Sequence, residues 1–450
     1  MQKPQVNHPL TLCQSSSIEI SKLLWSQPDL KHQLILWIKT HSIWSSSTES
    51  TDAQNTLRAQ ISRKINELVP SERLKQELRQ TVDLMGTRLR QWIHKMERRG
   101  NISVDLILYL DHIHWGRPGC VDESATINSM YLSQVFPENI ITWLELCDYC
   151  LEDCIRDLWP KLSEIEENFY TRSQSVLSTY WCHWLQNDLK KGHATFRIVI
   201  PDWEDDQSLE ENLFAYSFLY GTYSAVEYFW RLMRNDQRKR TIIRVARTIL
   251  SFIELLPQPD LVVFLLQQIF FYDLNHLWIQ LLNSDRLLVK LLNWPYQHLF
   301  LAAAEASWVH HGPIDYTPIL IEIIKSMKSL CLFSTDGAHS QYCEIVYDIL
   351  ERVVGDKKGS INFLKVLNEA WEMENNKMLN YIINYPRLEE MRNFHVFVMM
   401  QAFKRRHCSV DSDFGEKFVR EVLVSDAERE SFRCQVKDRG FEIDGGMKEN

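Results

Sequence analysis

Turn-forming residues are scarce in this chain: 450 residues contain 14 glycines and 14 prolines. A fold of many short strands needs such residues at each reversal, so the shortage weighs against it and favours helices. No run of about 18 or more apolar residues occurs, so the sequence contains no candidate membrane span. The opening stretch MQKPQVNHPLTLCQSSS carries one lysine and no sustained apolar core, which makes a poor secretory signal. A positive excess is missing too. The formal net charge is -9, from 50 basic and 59 acidic residues. Nucleic acid is therefore not an expected partner, because counterion release needs a basic face. G-x-S-x-G, the P-loop, G-x-G-x-x-G and H-E-x-x-H are all absent, so no hydrolase, nucleotide, dinucleotide or zincin reading has a motif behind it.

Apolar and aromatic side chains are plentiful. The chain is 45% hydrophobic, with 15 Trp, 16 Tyr and 20 Phe. Large rings spread along a chain suit wide helix–helix interfaces and also serve as binding anchors. Helical spacing predicts a first helix after Ser17 and a second opening at Pro28-Asp29, with Leu30, Leu34, Trp37 and Ile38 on one face. The run Ser45 to Thr51 reads as a linker by composition, so residues 1–52 form an N-terminal helical arm. Residues 53–140 follow as a helical region. There Leu57, Ile61, Ile65 and Leu68 make one stripe, Pro70-Ser71-Glu72 restarts the chain, and Asn101 to Trp115 reads as a further helix.

At the centre lies Leu213 to Met233, LFAYSFLYGTYSAVEYFWRLM, read as two short helices meeting at Gly221-Thr222. Ala225, Val226, Phe229, Trp230 and Met233 share one apolar face of the second helix, which places Trp230 in the core. Ile155, Val262 and Leu379 align with Val226 at offsets of 71, 36 and 153 residues, close to twice 36, once 36 and four times 38, and a period in the thirties suits a two-helix repeat. This layout, the tail AVEYFW, and Asp315-Tyr316-Thr317-Pro318-Ile319-Leu320 with Thr317 as N-cap resemble divergent ankyrin-type repeats over residues 141–390. The full T-P-L-H-x-A signature and the glycine-rich hairpins are missing. The resemblance implies an array of helix pairs over 141–403 whose surface binds proteins. A polar tail, 404–450, completes the chain. His193 to Ile200, HATFRIVI, is rich in β-branched residues and reads as an extended connector.

Four constellations bear on chemistry. Cys147, Cys150 and Cys154 form C-x2-C-x3-C, a frequent opening of a zinc or iron–sulfur site, with Cys182-His183 as further ligands. As one continuous helix, the same residues place three small hydrophobic thiols on a buried face, and that is the reading preferred. Asp205 and Asp206, with Glu210 and Glu211, resemble the aspartate-rich magnesium motif of all-α terpene synthases, and Glu204 precedes them in the same acidic loop. The competing reading is a solvated helix start. His310-His311-Gly312 and Asp111-His112-Ile113-His114 lack ligand spacing. The basic runs at 97–99, 237–240 and 404–407 read as solvated helix ends, with a phosphate contact or nuclear import as the sharper possibility. No catalytic residue and no cofactor is assigned.

The sequence thus predicts an all-α elongated array acting as a non-enzymatic protein-interaction scaffold, with no membrane span. The alternative is an all-α enzyme or metal protein using the acidic loop 204–211 or the cysteine cluster. Ten scattered cysteines point to reduced thiols in a cytoplasmic, or else nuclear, protein.

Overall fold

A computed structural model describes residues 12–40, 47–98, 106–116, 119–162, 175–200, 203–220, 222–251, 259–282, 285–292, 296–297, 299–300, 303–304, 314–331, 338–355, 359–373, 375–386, 388, 418–420, 422–423 and 425–437. The described chain is mostly helical, as its composition predicts. It divides into two compact units. The first comprises Met1–Leu281 with Asn293–Leu299, and the second Leu282–Leu292 with Phe300–Asn450.

The first unit opens with α1 (Leu12–Trp25), α2 (Pro28–Thr40), α3 (Ser47–Leu68) and α4 (Glu72–Arg98). On α4, Leu78, Val82, Met85, Leu89, Trp92 and Met96 are buried at alternating steps of four and three, one stripe facing α1. Trp25 of α1 donates its indole N–H to the Val82 carbonyl at 3.0 Å. The supposed Ser/Thr linker is corrected here, because α3 already begins at Ser47. Turn-like composition is a weak prior, and Ser47 to Thr51 continue directly into the amphipathic stretch of α3. The predicted helix over 101–115 ends earlier: α5, described from Leu106, stops at Asp111, and Trp115 pairs with Val121 in an antiparallel bridge, while residues 101–105 lie outside the described residues.

Next come α6 (Glu123–Leu132), α7 (Ile140–Asp148), α8 (Glu152–Leu158), α9 (Val176–Leu185) and α10 (Leu189–Val199). They are followed by α11 (Leu209–Tyr220), α12 (Tyr223–Leu232), α13 (Asn235–Ser251), α14 (Pro259–Phe271) and α15 (Asn275–Leu282). The segment HATFRIVI lies within α10, not in an extended connector. Phe196 and Ile200 are buried one turn apart, and a β-branched run yields to that tertiary contact. Gly192 is fixed by space. A Cβ there would come within 2.6 Å of the His183 ring, so α9 and α10 pack through a residue without a side chain.

How does a glycine-poor chain reverse so often? Helices α6, α7, α9 and α14 end with Gln134, Cys150, Asn187 and Asp273 at φ between 51° and 57°. At α7 the Leu151 N–H reaches the Leu146 carbonyl and the Cys150 N–H reaches that of Cys147. The same crossed pair of bonds recurs at the other three ends, which makes each a Schellman motif closed by a residue other than glycine. Non-glycine residues in that conformation cost about 1 kcal/mol apiece.

Helices α11 and α12 pack together as the central sequence predicts, and the Thr222 side chain caps α12 by accepting from the Ala225 N–H. Ala225, Val226, Phe229 and Met233 are buried. Trp230 departs from its predicted place. It is half-buried, with one side against Phe214 and Phe264 and Arg238 stacked over the ring at 5.2 Å.

The second unit contains α16 (Asp285–Leu291), α17 (Thr317–Cys331), α18 (Ala338–Leu350), α19 (Phe363–Glu372), α20 (Asn376–Ile383) and α21 (Asp426–Lys437). A two-residue parallel pair joins β1 (Ile314–Asp315) to β2 (Gly359–Ser360). Thr317 does not cap its own helix as predicted. Asp315 accepts from the Thr317 N–H, while the Thr317 hydroxyl accepts from the Asn362 N–H at the start of α19. The residues aligned in sequence, Ile155, Val226, Val262 and Leu379, lie on α8, α12, α14 and α20 and are all fully buried. The pair His310-His311 and the run at 404–407 fall outside the described residues.

Candidate functional site

The three cysteines do not share one helix face. Cys147 ends α7, Cys150 occupies the reversal at φ 51°, and Cys154 lies on α8. All three are buried. Cys154 donates its thiol to Asn128 Oδ1 at 2.9 Å. Burial pushes the Cys154 thiol up to about 11, and burial raises Cys147 and Cys150 further, so all three stay protonated near neutral pH. Cys147 has Cys182 of α9 as a neighbour. His183, the other suggested ligand, pairs its Nδ1 with Asp188 at 2.7 Å and turns its ring edge to Phe196. Among the described residues, no three His, Cys, Asp or Glu side chains are placed to hold a metal ion.

The acidic loop is answered by arginines from two directions. Asp205 accepts from Arg197 of α10 and, at 2.9 Å, from the Trp203 indole. Arg244 of α13 reaches Glu204 at 3.3 Å, Gln207 at 2.8 Å and Asn212 at 2.9 Å. Ser208 and Glu211 form a capping box at the start of α11: the Ser208 N–H donates to Glu211 Oε2 and the Glu211 N–H to Ser208 Oγ. The Glu211 side chain is 1% exposed and also accepts from Arg240 at 3.1 Å. Asp206 is exposed in the turn. Magnesium chemistry needs carboxylates that converge on open space. Here Glu204, Asp205 and Glu211 converge on guanidinium groups instead. The run Gln237–Arg240 lies in the first turns of α13, where Arg238 donates to the Trp230 carbonyl at 2.9 Å.

A hollow lies elsewhere in the first unit, and none of the residues singled out in the sequence for chemistry lines it, although Tyr223, Ser224 and Glu227 of the central helix pair do. It encloses about 720 Å³ between α4, the loop after Gly116, the α7–α8 reversal, and the first turns of α6, α12 and α14. Its lining combines Arg88, Trp92 and Lys95 of α4 with Asp122, Glu123, Glu227 and Asp260, and with Tyr149, Tyr223 and Tyr296. At one end Glu123 Oε2 accepts from Lys95 at 2.5 Å and from the Tyr149 hydroxyl at 2.6 Å. Lys95 also lies 5.7 Å from the centre of the Tyr149 ring. Elsewhere in the lining, Asp260 Oδ1 accepts from the Tyr296 hydroxyl at 2.5 Å. Burial, with Glu227 and Asp260 nearby, pushes Tyr223 up to about 12. Cys120, near Arg88, Asp260 and Glu123, is likewise pushed up to about 12 by burial.

Sequence reasoning missed this hollow because its acids are dispersed. Asp122-Glu123 and Pro259-Asp260 each read only as a helix start. The legible signal was an acidic residue in the first turn of α6 and again of α14. No protein-family model matches the chain, and no curated protein is significantly similar to it.

Proposed function

We propose that this chain is a non-enzymatic protein-interaction scaffold built from helix pairs, and that a segment of its partner enters the 720 Å³ hollow. The observation that carries this reading is the origin of the walls. Five helices from different parts of the first unit, α4, α6, α8, α12 and α14, or the turns beside them, each supply part of one polar and aromatic surface. Packed helix pairs cannot seal such a junction by themselves, and the space left over accepts a side chain or a short peptide. Burial of the aligned residues Ile155, Val226, Val262 and Leu379 supports the repeat reading that goes with it.

The test is selection of binders from a random-peptide display library on the full chain. Peptides should be enriched, and Ser224→Trp, which places a large ring in the hollow, should weaken them about ten-fold or more without shifting the melting midpoint. Absence of enrichment, or binding indifferent to Ser224→Trp, overturns the reading.

A further inference from the structure

A second recess in the first unit carries the opposite charge. It encloses about 480 Å³ along α13, and its lining sets Arg240, Arg244 and Arg247 against one carboxylate, Glu204. In a chain of net charge -9 such an excess of cations is local.

The three arginines are not equally engaged. The Arg244 side chain is 9% exposed and is spent on Glu204, Gln207 and Asn212. Arg240 gives one nitrogen to the Glu211 carboxylate, and Asp236 at 3.6 Å lies beyond hydrogen-bonding distance of another, so donors remain. Arg247 is exposed and has no partner among the described residues. The acidic loop thus answers Arg244 and part of Arg240, and Arg247 is left over.

Helical register decides what can bridge the two. Arg240 and Arg247 are seven residues apart on α13, which places them on one side of the helix and about 10.5 Å apart along it. Ile243, half-buried, lies between them, and Thr248 and Ser251 extend the lining past Arg247. Glu211 anchors Arg240 at its own end of the recess, which favours a ligand that spans both arginines over one small anion that draws them together. Residues three apart in a polyproline II segment project from the same side about 9 Å apart, close to the spacing required. A carboxylate at each of those positions gains a charge-assisted contact, and the residues between them cover Ile243. Nucleic acid is the rival polyanion, and the negative charge of the chain as a whole works against it.

Resting on the scaffold reading, but on a surface apart from the hollow, we infer that this recess takes an extended acidic segment of a partner protein. Two Asp or Glu residues three positions apart sit at Arg240 and Arg247, with an apolar residue between them on Ile243.

Calorimetric titration of the full chain with end-blocked Glu-Pro-Pro-Glu, Gln-Pro-Pro-Gln and Glu-Glu-Pro-Pro tests it. Glu-Pro-Pro-Glu should bind, less tightly as salt is added, and the other two should bind about five-fold more weakly or worse. Arg240→Gln and Arg247→Gln should each weaken Glu-Pro-Pro-Glu about five-fold. Arg63→Gln, on an exposed arginine of α3, should alter nothing. Arg240 also holds Glu211, so if its variant melts early, Arg247→Gln, on a residue without a partner, decides. No binding of Glu-Pro-Pro-Glu at millimolar concentration overturns the inference, and so does equal binding of Glu-Glu-Pro-Pro or indifference to Arg247→Gln. Inorganic phosphate bound as tightly as the peptide would reduce the recess to a small-anion contact, and a single-stranded oligonucleotide bound more tightly would assign it to nucleic acid; either overturns the inference. Selected library peptides that Ser224→Trp blocks, with no acidic peptide bound, would overturn this inference and leave the scaffold reading of the hollow standing. Binding of Glu-Pro-Pro-Glu without any selected peptide for the hollow would do the reverse.

Discussion

Two acidic regions of the first unit differ in how their charge is answered. The loop 204–211 is conspicuous in the sequence, and Arg197, Arg240 and Arg244 neutralise it within the fold. The acids around the hollow are scattered from Asp122 to Asp260, and Glu123 alone among them has a lysine at hand. A dense acidic run so close to arginine-bearing helices becomes structure: a capping box, a buried carboxylate met by a half-exposed arginine, and a collar around Arg244. Dispersed acids that meet only in space are left to phenols and to whatever enters. Charge density along the chain therefore points to the stabilising region here, and spatial convergence points to the region whose acids are left without arginine partners among the described residues.

The largest effect expected from breaking this contrast is at Glu211. Glu211→Ala removes the capping box and one of the two carboxylates that meet Arg240, leaving Asp236 at 3.6 Å. Because Arg240 is half-exposed, the ion pair itself adds little, and the total loss should be about 2–3 kcal/mol in a denaturant melt. A loss below about 0.5 kcal/mol would place Glu211 with ordinary surface residues and erase the distinction.

A smaller effect should follow in the hollow. Asp260→Asn leaves the Tyr296 hydroxyl only a neutral amide oxygen to donate to, in place of a carboxylate, and should cost about 1 kcal/mol. It should also lower the Tyr223 titration from about 12, because one of the carboxylates that raise it loses its charge. The sign follows from linkage. Tyr223 titrates higher folded than unfolded, so its contribution is complete below the ordinary tyrosine range and is lost as pH rises through about 12. In the variant that loss should end at a lower pH and be smaller, and an alkaline absorbance titration at the phenolate band reads the lowered Tyr223 titration itself. An unchanged Tyr223 would separate the two groups. The smallest effect belongs to Asp205→Asn. Asp205 and Arg197 are both more than half exposed, so stability should move by less than about 0.5 kcal/mol.

Legibility in the sequence followed the range of the interaction. The all-helical class was readable from scarce turn residues and periodic apolar faces, and so was the α11–α12 pair with its break at Thr222. The failures were long-range. HATFRIVI has strand-like letters, but Phe196 packs beside His183 and draws the segment into α10, which in turn carries Arg197 to Asp205. The cysteines appeared continuous because C-x2-C-x3-C fits a helix as well as it fits a helix end, and only the backbone at Cys150 decides between them. Trp230 has core-like spacing, yet Arg238 covers its outer side. The hollow was illegible because Trp92, Glu123, Glu227 and Asp260 come from four different helices.

The four glycine-free helix ends alter how information about this architecture is stored. A reversal usually announces itself by one letter, and an array built on that letter advertises its period. Here Gln134, Cys150, Asn187 and Asp273 perform the same rotation with four different side chains. The instruction to turn is therefore written in backbone angles and spelled differently each time. Each corner is held by its two crossed hydrogen bonds and by the helices packed on either side, so four different side chains serve one geometry. A search for glycine at helix ends passes over all four.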